Sequence, residues 1–159
     1  ADASSQTVPS GIIGQTEGVL YAELKRPINV GGIGAFPNIT ISDGSSANQI
    51  LIFYNNTANT AVFRVVVSSV NVVNYTHTFT DVTVYNKIAI KYKTNDFAIW
   101  INGVEEHTDL IGATYPASTL NRLGFDNGVG GAPFIGDLKD VRVYNTALTD
   151  QELIALTSN

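Results

Sequence analysis

The sequence predicts an all-β fold, a two-sheet antiparallel β-sandwich finished by one short C-terminal helix. Three observations predict it. Apolar residues recur with a period of two in segment after segment, clusters of Gly, Pro, Asn and Asp separate most of those segments, and helical periodicity is absent until the C-terminus. Many short strands with no helices between them can bury their apolar faces only by stacking one antiparallel sheet on another.

The first residues, 1–13, carry no Met and no apolar signal core. They are expected to form an N-terminal extension or linker ahead of a single domain over 14–159. Strands are expected over Gly18 to Leu24, Ile39 to Ser42, Gln49 to Tyr54, Ala61 to Ser68 and Val70 to Thr76. The alternation is cleanest in Lys87-Ile-Ala-Ile-Lys-Tyr-Lys93, which puts Ile88, Ile90 and Tyr92 on one face and Lys87, Ala89, Lys91 and Lys93 on the other. A Thr94-Asn95-Asp96 turn leads into Phe97-Ala-Ile-Trp-Ile101, with Phe97, Ile99 and Ile101 inward, so the pair reads as a hairpin. Leu120 to Phe125 and Phe134 to Tyr144 supply the last strands. Thr149-Asp-Gln-Glu152 has the form of a capping box, and Leu153, Leu156 and Ile154 give the following helix, Thr149 to Thr157, its apolar stripe.

Composition narrows the function classes. Charged residues make up 14% of the chain, against about a quarter in an average globular protein, and the formal net charge is −5. A surface of Asn, Thr, Ser and Gly suits short-range hydrogen bonding, and the acidic balance with no basic patch argues against nucleic acid as partner. No apolar run approaches the roughly 20 residues that span a bilayer, so membrane insertion is not expected. Cysteine is absent, which removes disulfides, thiolate nucleophiles and thiolate metal ligands.

Glycoside hydrolysis needs two carboxylates about 5 to 10 Å apart across the sugar. The sequence has five glutamates, and the adjacent pair Glu105-Glu106 would point to opposite sides of a strand. His77 and His107 stand outside any nucleophile or zinc motif and are expected at the surface or in turns. The chain is therefore read as non-enzymatic. Sequons at Asn38, Asn55 and Asn74 carry little weight in a chain this rich in Asn and Thr.

The segment Leu123-Gly-Phe125, Gly130-Gly131 and Phe134-Ile-Gly-Asp-Leu-Lys-Asp-Val-Arg-Val-Tyr-Asn-Thr-Ala-Leu-Thr149 resembles the closing strands of laminin-G-like, concanavalin A-like lectin/glucanase jelly rolls. Phe97 to Val104 is similar to that family's Val-Asn-Gly hairpin. The wording Gly14-Gln-Thr-Glu-Gly18-Val-Leu-Tyr-Ala-Glu23 and Ala147-Leu-Thr-Asp-Gln-Glu-Leu153 resembles a subgroup often carried by bacteriophage tail or virion proteins and by bacterial surface proteins. The resemblance implies a jelly-roll carbohydrate-binding or receptor-binding module, on a virion surface or outside a cell, with a glycan or cell-surface polysaccharide as partner. The alternative it leaves is a structural decoration or oligomerisation domain, assembled through a parent protein. Related sandwiches often bind calcium with two acids where this chain reads Lys139-Asp140. Asp43, Asp126 and Asp137 could still ligate such an ion, and no metal or other cofactor is assigned.

Sugar binding favours an aromatic platform beside amides, carboxylates or guanidinium groups. Trp100, the sole Trp, alternates away from the inward set and shares its face with Ala89, Lys91 and Ala98. Either the indole lies open to ligand, with Lys91 beside it, or loops cover it as a minor second core. Arg64 faces outward from a strand whose Phe63, Val65 and Val67 form the core side, where it joins a binding face or pairs with an acid. Asp43 and Asn48 in one polar loop, and Asp126 and Asn127 in another, form a second candidate rim, which turn chemistry alone would also explain.

Overall fold

The computed structural model describes residues 5–28 and 38–159. Eleven strands and one helix follow in order: β1 (Ser5–Thr7), β2 (Glu17–Lys25), β3 (Asn38–Ser42), β4 (Gln49–Tyr54), β5 (Thr60–Val67), β6 (Val70–Thr78), β7 (Asn86–Lys93), β8 (Phe97–Ile101), β9 (Val104–Asp109), β10 (Arg122–Gly124), β11 (Asp137–Tyr144) and α1 (Asp150–Thr157). Every pairing is antiparallel. One sheet runs β1-β10-β3-β4-β5-β6 and the other β11-β2-β7-β8-β9.

Alternation assigns each strand's faces. Ile39, Ile41, Ile50, Ile52, Phe63 and Val65 from the first sheet meet Leu20, Leu24, Ile88, Ile90, Phe97 and Ile99 from the second in one continuous core. Three tyrosines, Tyr54, Tyr92 and Tyr115, complete it. Tyr92 donates to Gly14 O at 2.8 Å and Tyr115 to Gln49 O at 3.0 Å, so both hydroxyls are satisfied inside the sandwich.

Two segments depart from the sequence expectation. Ser5–Thr7, expected within an extension, pairs with β10 as an edge strand, and Val8 N bonds Asn121 O at 2.8 Å. Val104–Asp109 forms β9, which was not expected because Val-Glu-Glu-His-Thr-Asp has one apolar residue and no alternation. Its register comes instead from the turn: Asn102 (φ 49°) and Gly103 (φ 84°) both adopt positive φ, the geometry of a tight two-residue hairpin, and set Val104 opposite Ile101. His77 and His107 lie on β6 and β9, on strands and not in turns. Among the described residues no helix is long and apolar enough to cross a membrane.

Candidate functional site

The register brings Thr40, Leu51, Arg64 and Asn74 into one lateral row across the six-stranded sheet, and Asn38, Phe53, Val62 and Thr76 into the next. These side chains point away from the core, because each neighbours an inward-facing residue such as Ile39, Ile52, Phe63 or Val73. Leu51, Val62 and Val66 give this outer face a buried apolar floor. On it, the guanidinium of Arg64 lies 4.9 Å from the centre of the Phe53 ring. Arg64 Nε donates to Asn74 Oδ1 at 2.9 Å.

The Phe53 ring and one hydrogen bond thus hold the guanidinium in place, while the terminal nitrogens are left for another acceptor. Among the described residues no carboxylate comes within ion-pair distance of Arg64. The 126–131 loop walls the β3 side of this face: Thr40 Oγ1 donates to Asp126 O at 3.1 Å and Ser42 Oγ to Gly128 O at 3.4 Å.

A family model described as the concanavalin A-like lectin/glucanases superfamily matches residues 28–154. The chain belongs to that superfamily. Among curated proteins none matches the sequence. Of solved structures, this concanavalin A-like sandwich is similar to the CBM40 of Ruminococcus gnavus IT-sialidase bound to alpha2,3 sialyllactose, at 18% identity and TM-score 0.66 over 91% of this chain and 84% of that one. It is similar to domain 4 of AbnA, a GH43 extracellular arabinanase from Geobacillus stearothermophilus in complex with arabinotriose, at 13% identity and TM-score 0.69 over 96% of this chain and 71% of that one. It is also similar to a leech intramolecular trans-sialidase, at 18% identity and TM-score 0.66, where 99% of this chain spans 26% of the enzyme. At these identities the likeness is one of fold.

On this lectin-like scaffold the residues singled out in the sequence fall on different sides. Trp100 is 5% exposed and packs with Val19, Tyr21, Ala89 and Ala98 beneath Leu153 of α1, with Leu148 and Leu156 at the margin. The open-indole reading is thereby corrected: a second core does cover the ring, and its cover is the C-terminal helix, whose apolar stripe needs a partner. Lys91 is corrected with it. Its Nζ is buried against Asp96 at 2.7 Å and Asp150 at 4.0 Å, tying β7 to the β7–β8 turn and to the first turn of α1.

The loop residues are engaged locally. Asp43 accepts from Ser45 N at 2.8 Å and from Asn48 Nδ2 at 2.9 Å, and these bonds hold its carboxyl below the ordinary range against the opposing effect of burial. Asn48 Oδ1 accepts from Ser68 N at 2.9 Å, Asp126 Oδ1 from Gly128 N at 2.7 Å, and Asn127 Oδ1 from Gly131 N at 2.9 Å. Asp137 pairs with Lys25 at 3.2 Å. Among the described residues no three His, Asp or Glu side chains gather as a metal-holding group.

Arg64 is therefore the sequence candidate placed on an accessible face with donors to spare. Sequence reasoning missed its partners Phe53 and Asn74. The period-two pattern of Gln49 to Tyr54 did carry a signal for Phe53, since it shares the outer face with Leu51. A second concavity, of about 440 Å³, opens between the β6 and β9 edges, lined by His77, Asp81, Tyr85, Asn86, Asn102 and Glu106. Its amides are spent internally: Asn102 Nδ2 donates to Asn86 Oδ1 at 2.8 Å, and Asn86 Nδ2 donates to Asp81 O and Val84 O, both at 2.9 Å.

Proposed function

We propose that the chain is a non-catalytic carbohydrate-binding or receptor-binding module whose ligand lies on the outer face of the six-stranded sheet. One observation carries the reading. Arg64 is held over the Phe53 ring and by Asn74, and among the described residues no acid lies within ion-pair distance of its terminal N–H groups. Preorganisation of this kind saves the side-chain ordering cost that a flexible arginine would bear on binding. The carbohydrate complexes of the similar folds support a glycan as ligand. The wording of the sequence supports a parent protein on a virion or bacterial surface.

A glycan array followed by calorimetry tests the reading. Binding should appear, and Arg64→Ala should weaken it roughly ten- to hundredfold, as expected when a charge-assisted bond is removed. Silence across the array, together with a stable oligomer in solution, would favour the decoration or oligomerisation role instead.

A further inference from the structure

Carboxylates are divided unevenly between the two sheets. The chain is acidic as a whole, at −5. Yet the six strands of the first sheet contain no Asp or Glu, and every carboxylate borne on a described strand lies in the other sheet, on β2, β9 or β11. The charged side chains on the six-stranded sheet are Arg64 and Arg122. Both point outward, since Phe63 and Leu123 beside them pack on the core.

Among the described residues, three acids in loops near this sheet are already engaged. Asp43 holds Ser45 and Asn48, Asp81 Oδ1 takes two bonds from Thr83 at 2.7 Å each, and Asp126 is 1% exposed. The five-stranded sheet behaves in the opposite way. There Lys25 meets Asp137 at 3.2 Å, Lys139 meets Glu23 at 2.8 Å, Arg142 meets Asp140 at 2.6 Å and Lys91 meets Asp96 at 2.7 Å, so these four cations are neutralised where they stand.

At physiological ionic strength charges more than about 8 Å away are largely screened. A ligand arriving over Arg64 therefore meets the local cation and not the net charge of the chain. A planar guanidinium held in place with a free pair of donors matches two coplanar anionic oxygens better than it matches a single hydroxyl. We propose that this face selects an anionic sugar, with carboxylate or sulfate oxygens received by the two Nη groups of Arg64. The inference rests on the reading of the chain as a glycan binder and adds the charge class of the ligand.

The test uses the full chain on an array of matched neutral, carboxylated and sulfated glycans, with titration of lactose, 3′-sialyllactose and 3′-sulfated lactose among the soluble probes. Acidic members should bind at least about tenfold tighter than their neutral counterparts, the least that one charge-assisted bond commands. The carboxylated and sulfated arms identify the source of the anion. Arg64→Gln should abolish the preference, and Arg64→Lys, which keeps the charge and loses the fork, should retain only part of it. Circular dichroism establishes that both variants are folded. Equal binding of neutral and acidic members, or a preference that survives Arg64→Gln, would overturn the anion selectivity and leave glycan binding intact. Silence of every array member would overturn both.

Discussion

Trp100 and Leu153 pack into one apolar cluster, and through that contact the C-terminal helix covers part of the outer face of the five-stranded sheet. Trp100→Ala should cost about 3 to 5 kcal/mol and Leu153→Ala about 2 to 5 kcal/mol in denaturant unfolding. The double variant should lose less than the sum, because each residue removes part of the other's packing. Trp100→Phe should be far milder, since the indole Nε1 is buried without a partner and the ring itself supplies the contact. Wild-type stability in Trp100→Ala would refute the covering role of the helix.

The cover depends on how α1 begins. Thr149 Oγ1 accepts from Glu152 N at 3.3 Å, and Glu152 Oε2 accepts from Thr149 N at 2.8 Å, a complete capping box. Thr149→Ala should cost about 1 kcal/mol and shift Trp100 fluorescence to longer wavelength as the helix frays. The backbone bond from Thr149 also holds the Glu152 carboxyl below its ordinary 4.5. That contribution is present above the ordinary value and is lost as pH falls through the lower folded value. Thr149→Ala keeps that backbone donor but loses the 2.8 Å bond from Thr149 Oγ1 to Glu152 Oε2, which lowers the same carboxyl, so the variant should resemble wild type more closely in acid than at pH 7.

The β5–β6 hairpin turns on Ser68 and Ser69, at φ 50° and 66°, with Val67 paired to Val70. Residues other than Gly bear about 1 to 2 kcal/mol for a left-handed conformation, so Ser69→Gly should raise stability by roughly 1 kcal/mol. The turn's backbone bond from Ser69 N to Ala47 O survives that change. A lower unfolding midpoint in Ser69→Gly would show that the Ser69 side chain contributes more than its backbone strain costs.

This hairpin also marks where the sequence stops being readable. Ser-Ser carries none of the Asn-Gly chemistry that announces a two-residue turn, so β5 was expected to run through Ser68, one residue too far. At Asn102-Gly103 the same geometry is announced. The inward faces of β7 and β8 were readable because alternation of Ile, Tyr and Phe leaves one burial pattern. The burial of Trp100 was not, since period two says that a side chain leaves the first core and cannot say whether a distant helix meets it. Arg64 was readable as outward-facing. Its stacking on Phe53 and its bond to Asn74 depend on a register across three strands that no single segment contains.

Gly14 shows the reverse case, a conformational demand written into the sequence as one residue. A Cβ there would lie 1.8 Å from Glu17 O and 2.6 Å from Asn145 O, both backbone atoms unable to yield cheaply. Gly14 O also accepts the Tyr92 hydroxyl at 2.8 Å. Gly14→Ala should destabilise by about 1 to 3 kcal/mol, as overpacking does. Thermal unfolding checks it, and an unchanged midpoint would mean that the β2 entry can move aside.

His77 joins the free edge of one sheet to that of the other. Its Nδ1 lies 3.7 Å from Glu106 Oε2 and 3.4 Å from the Tyr75 hydroxyl, and its ring meets Phe79 edge-on at 4.7 Å. Burial lowers the imidazole pKa below its ordinary 6.5, and the Glu106 carboxylate opposes that shift without cancelling it. The unfolded chain therefore takes up the proton at a higher pH than the folded one. Stability tied to His77 is complete above about pH 6.5 and drains away as pH falls through the lower folded value. His77→Gln should flatten the decline in unfolding midpoint between about pH 7 and 5 relative to wild type. Glu106→Gln removes the opposing charge, so the folded pKa should drop further and the decline should steepen. Nuclear magnetic resonance titration of the His77 ring reads the quantity directly, and a value at or above 6.5 would overturn both expectations.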